Sequence, residues 1–156
     1  MKIYLETISN FGKNTLQKNL ISTTEQEVRF SEVDSLGIVW HGHYLRYFED
    51  GREAFGKKYN LGYLDFYSRG YVVPIVNIQC DYKRFLRYGD RIIIETTYTP
   101  CEPAKMNFAY RLMNAATGEL IVTGSTVQVF LSTDNFILQL TNPDFFQEWK
   151  AGHGLI

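Results

Sequence analysis

The chain has 156 residues, 45% of them hydrophobic and 21% charged, which is one globular domain's worth and argues against intrinsic disorder. Sixteen Lys and Arg against seventeen Asp and Glu leave a net charge of −1, so the basic field expected of a general nucleic-acid binder is missing. Two cysteines, Cys80 and Cys101, make neither a disulfide framework nor a CxxC zinc site. Met1 to Phe11 carries Glu6 and lacks a continuous apolar core, so it reads as no secretory signal. No apolar run approaches the ~18 residues of a membrane span, and the expected compartment is the cytoplasm.

In chain order, residues 1–22 read as a loosely patterned lead-in. Thr23 to Phe30 reads as a first strand with Val28 and Phe30 on one face. Ser31 to Gly42 breaks the pattern with Asp34, Ser35, Gly37 and Gly42. From Gly42 to Asn60 the period becomes helical, with Tyr44, Tyr47, Phe48, Gly51, Phe55 and Tyr59 on one stripe. Arg46, Glu49, Asp50 and Glu53 fall on the opposite face, where Arg46–Asp50 and Glu53–Lys57 are i,i+4 pairs. Gly51 interrupts the stripe at a cost of about 1 kcal/mol against Ala, which predicts close approach of another backbone or a ligand. Asn60-Leu61-Gly62 is a stop, and a loop runs to Gly70.

The remainder alternates with period two. A strand carrying Val76, Ile78, Cys80 and Tyr82 on one face begins near Pro74, and others follow over Arg91 to Thr99, Lys105 to Asn114 and Leu120 to Ser132. Ala115-Ala116-Thr117-Gly118 is a hairpin connection. Asn142-Pro143-Asp144 predicts a terminal helix over about 142–150, with Asn142 as N-cap and Pro143 at N1, docked by Phe145, Phe146 and Trp149. The order is α+β: a strand, one long helix, then four long strands in a meander. One helix covers one face, so its stripe belongs in the concave side of a curved antiparallel sheet. The uncovered remainder calls for a second subunit.

No GxSxG, GxxxxGK[ST], GxGxxG or HExxH pattern occurs. The informative stretch runs from Val28 to Tyr44. Asp34 lies between a strand and a helix, and His41 follows at the helix mouth, where free N–H groups make an electropositive pocket. Amides that hold an oxyanion beside a carboxylate that attacks or activates water suit acyl transfer. The plainer alternative is that Asp34 caps a turn with Ser35 and Gly37. His41 and His43 make a poor metal pair, since they point apart and no carboxylate cluster is evident. Tyr98, Phe108 and Tyr110 suit sheet core better than pocket wall, and Cys80 reads as core.

Asp34-x-x-Gly37-Ile38-Val39-Trp40-His41-x-x-Tyr44 resembles the D-x-x-G-[IV]-V-[YWF]-[HN]-x-x-Y signature of the hotdog-fold 4-hydroxybenzoyl-CoA and acyl-CoA thioesterase family. Tyr44 to Glu49 and Tyr82 to Asp90 resemble it too, and the likeness runs from about Thr24 to Ser132. The resemblance implies a hotdog domain over 1–156, a five-stranded curved sheet around one central helix, and hydrolysis of an acyl-CoA with no cofactor or metal. It implies that Asp34 is nucleophile or general base and that the N–H at His41 polarises the thioester carbonyl. By the same likeness Gly37 allows close substrate approach, and Trp40 and Tyr44 line the acyl pocket. Lys83, Arg84 and Arg87 would meet coenzyme A phosphates across a subunit boundary in a homodimer or homotetramer, or else form a solvated strand end. Glu49 and Glu53 are the reserve carboxylates, read first as a solvated helix face. An acyl-carrier-protein thioesterase and a non-catalytic acyl-CoA-binding module are the alternatives.

Overall fold

The computed structural model describes residues 18–156. The Met1 to Phe11 segment and most of the expected lead-in lie outside the described residues. In chain order the elements are β1 (Leu20–Glu27), α1 (His43–Tyr59), α2 (Tyr63–Tyr67), β2 (Tyr71–Val72), β3 (Ile75–Tyr82), β4 (Arg91–Thr99), β5 (Lys105–Asn114), β6 (Leu120–Val129), β7 (Leu131–Ser132) and α3 (Asp144–Gly152). β1, β4, β5, β6 and β3, in that order, form one antiparallel sheet, and β2 pairs with β7 in a two-stranded ladder.

β4 and β5 match their expected bounds, whereas β1 is shifted. It starts at Leu20, inside the expected lead-in, and stops at Glu27 because its ladder partner begins at Arg91. The next residue, Val28, still donates to the Asp90 carbonyl (2.8 Å) and is 1% exposed. Phe30 does not share its face; it opens a 3-10 turn, Phe30–Glu32, and is 76% exposed. The expected loop before Gly70 contains α2, whose start is fixed by Gly62 N–H donating to Asp65 (2.7 Å). The expected strand from Leu120 to Ser132 breaks at Phe130. That ring is fully buried against Phe146 (5.0 Å), and the chain beyond it changes partner to β2. α3 begins later than expected, with Pro143 rather than Asn142 as N-cap. The Asn142 amide instead donates to the Glu102 carbonyl (2.9 Å). Phe146 is buried, and Trp149 Nε1 donates to the Tyr59 carbonyl (2.7 Å), so α3 docks through the aromatics expected of it.

Only β4, β5 and β6 form the expected meander; β3 lies at the far edge, beside β6. The connection 83–90 therefore crosses the end of the sheet. Lys83 and Arg84 N–H groups both donate to the Ile121 carbonyl, and the fully buried Leu86 accepts from Val39 N–H (2.9 Å). Alternation within each strand was readable locally, but the neighbour of β3 is set by this crossing.

α1 lays Tyr44, Tyr47, Phe48, Gly51 and Phe55 against the sheet, as its periodicity predicts. Phe48 stacks on Tyr110 of β5 at 4.4 Å, over the space that Gly124 of β6 leaves open. The close approach at Gly51 is made by the side chains of Ile94 and Thr96 on β4. Asn60 ends the helix in the left-handed conformation (φ 54°). Tyr98, Phe108 and Tyr110 are buried core residues. The Glu53–Lys57 pair forms (3.1 Å), but Asp50 accepts from Gln26 Nε2 (3.1 Å) rather than pairing with Arg46. No described helix is long and apolar enough to cross a membrane.

Candidate active site

Between the 3-10 turn and α1 the chain makes a tight hairpin, bridged at Val33 and Val39. Gly37 closes it at φ +76°, a conformation that costs a side chain strain even where space is open. Asp34 sits in the turn. Its N–H donates to the Ile38 carbonyl (2.9 Å), and its Oδ1 accepts from Leu36 N–H (2.8 Å). The turn-capping alternative is thus realised by one carboxylate oxygen. Oδ2 has no hydrogen-bond donor among the described residues.

The hairpin is held to α1 by a buried carboxylate that sequence reasoning passed over. Glu32 is 7% exposed, and its Oε2 accepts from Arg29 N–H and from the Tyr47 hydroxyl, both at 2.8 Å. Burial is the main reason that the Tyr47 phenol is held well above its ordinary value, with the hydrogen bond to Glu32 adding to it. The Glu32 carbonyl accepts from Trp40 N–H (3.0 Å), which sets the hairpin's second arm. Nothing in the local pattern marks Glu32, because its partner Tyr47 lies on the next element.

Trp40, His41 and Gly42 lead into α1. The Trp40 indole is 46% exposed and lies directly on Gly42, where any Cβ would collide with it. It also contacts the rings of His41 (4.9 Å) and His43 (5.6 Å). His43 N–H donates to the Trp40 carbonyl (2.9 Å), and the Tyr82 hydroxyl of β3 donates to the His41 carbonyl (2.9 Å). Among the described residues the N–H groups of His41 and Gly42 have no acceptor. Tyr44 is buried, with its ring edge-on to Tyr82 (5.4 Å) and its hydroxyl accepting from Leu86 N–H (3.3 Å). Burial raises its phenol above the ordinary value, as it does the half-buried Cys80 thiol nearby.

The crossing 83–90 runs beside the hairpin, and Arg87 is bridged to Ile38. Arg87 is exposed, with its guanidinium over the Phe85 ring (5.4 Å). Lys83 and Arg84 are exposed too but lie toward β6, where Arg84 meets Glu119 (3.6 Å). The fold therefore brings Asp34, Gly37, Trp40, His41 and Arg87 onto one hairpin and crossing, with Lys83 and Arg84 farther along. Glu49 and Glu53 stand apart on the outer face of α1, where their side chains are about two-thirds exposed (66% and 67%). Among the described residues no group of three or more His, Cys, Asp or Glu side chains could hold a metal ion.

The model of the thioesterase-like superfamily matches residues 28–149. The putative acyl-CoA thioesterase YneP of Bacillus subtilis is 33% identical over 116 residues, 74% of this chain and 83% of that one. The crystal structure of a DHNA-CoA thioesterase from Staphylococcus aureus superposes with a TM-score of 0.77 at 27% identity, over 86% of this chain and 89% of that one. A 4-hydroxybenzoyl-CoA thioesterase mutant in complex with 4-hydroxybenzoyl-CoA superposes with a TM-score of 0.72 at 22% identity, over 83% and 97% of the two chains.

Proposed function

This chain belongs to the thioesterase-like superfamily and is a hotdog-fold thioester hydrolase, and from that premise we propose that it hydrolyses an acyl-CoA through Asp34 and the amides at the start of α1. The observation that carries the reading is the pairing, among the described residues, of a carboxylate oxygen without a donor, Asp34 Oδ2, with two amides without acceptors at the other end of one short hairpin. An ionised Asp, with no partner base, either attacks the thioester carbonyl to give an anhydride that water then hydrolyses, or takes the proton of a water that attacks the carbonyl. On both routes the C–S bond breaks and coenzyme A leaves as a thiolate that picks up a proton from water. As the carbonyl carbon becomes tetrahedral its oxygen gains charge, and the fixed N–H groups of His41 and Gly42 stabilise that charge without reorganising. Trp40 offers the acyl group a half-exposed apolar wall. Arg87 and, farther along, Lys83 and Arg84 meet the phosphates of coenzyme A.

A second subunit completes this arrangement. β3 is an edge strand with Val76, Ile78 and Tyr82 exposed, and it runs into the crossing that carries the basic residues. An open edge of this length pairs readily with another copy. We therefore place the working enzyme as a homodimer or a tetramer of dimers.

The test is a thiol-release assay on a panel of aromatic, short-chain and medium-chain acyl-CoAs, with acyl-carrier-protein thioesters as the competing class. Asp34→Asn keeps the size and removes the charge; it should lower kcat by about 10²–10⁴ while the circular dichroism spectrum is retained. Glu49→Gln and Glu53→Gln should stay near the parent rate. Arg87→Ala should raise KM with kcat nearly unchanged, since phosphate binding is shared by ground and transition states. Near-parent kcat in a folded Asp34→Asn protein would refute the reading.

A further inference from the structure

We propose that Tyr82 is a positioning residue for the oxyanion site: its hydroxyl locks the His41–Gly42 peptide so that the Gly42 N–H is aimed as a second donor beside that of His41. This rests on the reading of the α1 start as the place where the thioester carbonyl is polarised.

A trans peptide is planar, and its C=O and N–H point in opposite directions. Fixing the carbonyl therefore fixes the amide. The Trp40–His41 peptide has its carbonyl held from within, by His43 N–H at 2.9 Å. The His41–Gly42 peptide has no such internal donor; its carbonyl is held at 2.9 Å by a side chain from across the fold, Tyr82 on β3. Both N–H groups are then free of acceptors among the described residues, and both are directed.

Two further contacts stiffen the arrangement. The Trp40 ring seats directly on Gly42, so that a Cβ there would displace the ring. The Tyr82 ring is braced edge-on by the buried Tyr44 at 5.4 Å. A hydrogen bond to a carbonyl also polarises the amide of the same peptide unit, which makes the Gly42 N–H a better donor. The phenol keeps its proton across the working range, because partial burial and the neighbouring Cys80 push it up to about 12. Tyr82 touches no reacting atom in this scheme; it acts through the peptide.

Tyr82→Phe removes the hydroxyl and keeps the ring on Tyr44. Kinetics are read on the fastest substrate among benzoyl-CoA, butyryl-CoA and octanoyl-CoA. The expected result is a fall in kcat of about tenfold with KM unchanged, less than the 10²–10³ typical of deleting an oxyanion donor outright. The second readout is the infrared band of the same acyl-CoA, carbon-13 labelled at the thioester carbonyl and bound to Asp34→Asn. Adding Tyr82→Phe to that variant should move the band back toward its position in water. A residue that merely supports the fold would lower the melting temperature and leave the band in place. Parent kcat and an unmoved band in Tyr82→Phe would overturn the inference while the Asp34 reading stands. Retained activity in Asp34→Asn would overturn that reading instead, and the Tyr82→Phe rate would still report on the amides.

Discussion

Glu32 is nearly sealed from water, and one of its two donors, the Tyr47 hydroxyl, is sealed with it. Glu32→Leu keeps the volume and removes the acceptor, so a buried phenol loses its partner. The cost of such an orphaned group is about 1–3 kcal/mol, which for a chain of this size corresponds to a melting-temperature drop of roughly 5 °C. Glu53→Leu, on the exposed face of α1, should change stability by no more than about 0.5 kcal/mol. Scanning calorimetry on the two variants checks both, and equal melting temperatures would show that Glu32 is not a fastener. Asp34, Gly37 and His41 stand out in the sequence through the resemblance to a family motif, whose positions all lie within one short stretch of chain. Glu32 and Tyr82 could not, since their partners stand 15 and 41 residues away and no period links them.

The seat of α1 on the sheet turns on Gly51. Alanine at an exposed helix position gains about 1 kcal/mol over glycine, and propensity alone would predict that Gly51→Ala stabilises. The structure reverses the sign. A Cβ there would press on Thr96 and Ile94, both on a central strand, and Thr96 is fully buried. Overpacking of this kind costs about 1–3 kcal/mol, so urea unfolding of Gly51→Ala should show a net loss of about 1 kcal/mol. A gain would mean that α1 lifts from β4 without penalty. The stripe that seats the helix was plain from its period, but the neighbour that makes glycine necessary was not. The strand ends followed tertiary partners too: β4 and β5 match their patterns, whereas β1 ends where its partner does and β6 stops at the buried Phe130.

At the scale of the whole molecule the unfinished element is the β3 edge. Its Val76, Ile78 and Tyr82 side chains are exposed in the single chain. Sedimentation at micromolar concentration should give a dimer or a tetramer. Ile78→Lys, which places a charge on that edge, should shift the protein toward monomer and lower activity with it. A stable monomer of full activity would remove the second subunit from the site.

Composition, period and one local motif were enough for an α+β chain, its central helix, the face that helix buries, and a carboxylate placed just ahead of it. These depend on contacts a few residues apart, so the physics that produces them is written within a short window. The place of β3 at the far edge, the break at Phe130 and the shared buried acceptor at Glu32 were decided only in three dimensions. So was the Tyr82 hydroxyl on the His41 carbonyl. Each depends on which distant segment arrives alongside, and that is settled by the crossing 83–90 and the burial of Leu86 and Phe130, not by any local preference.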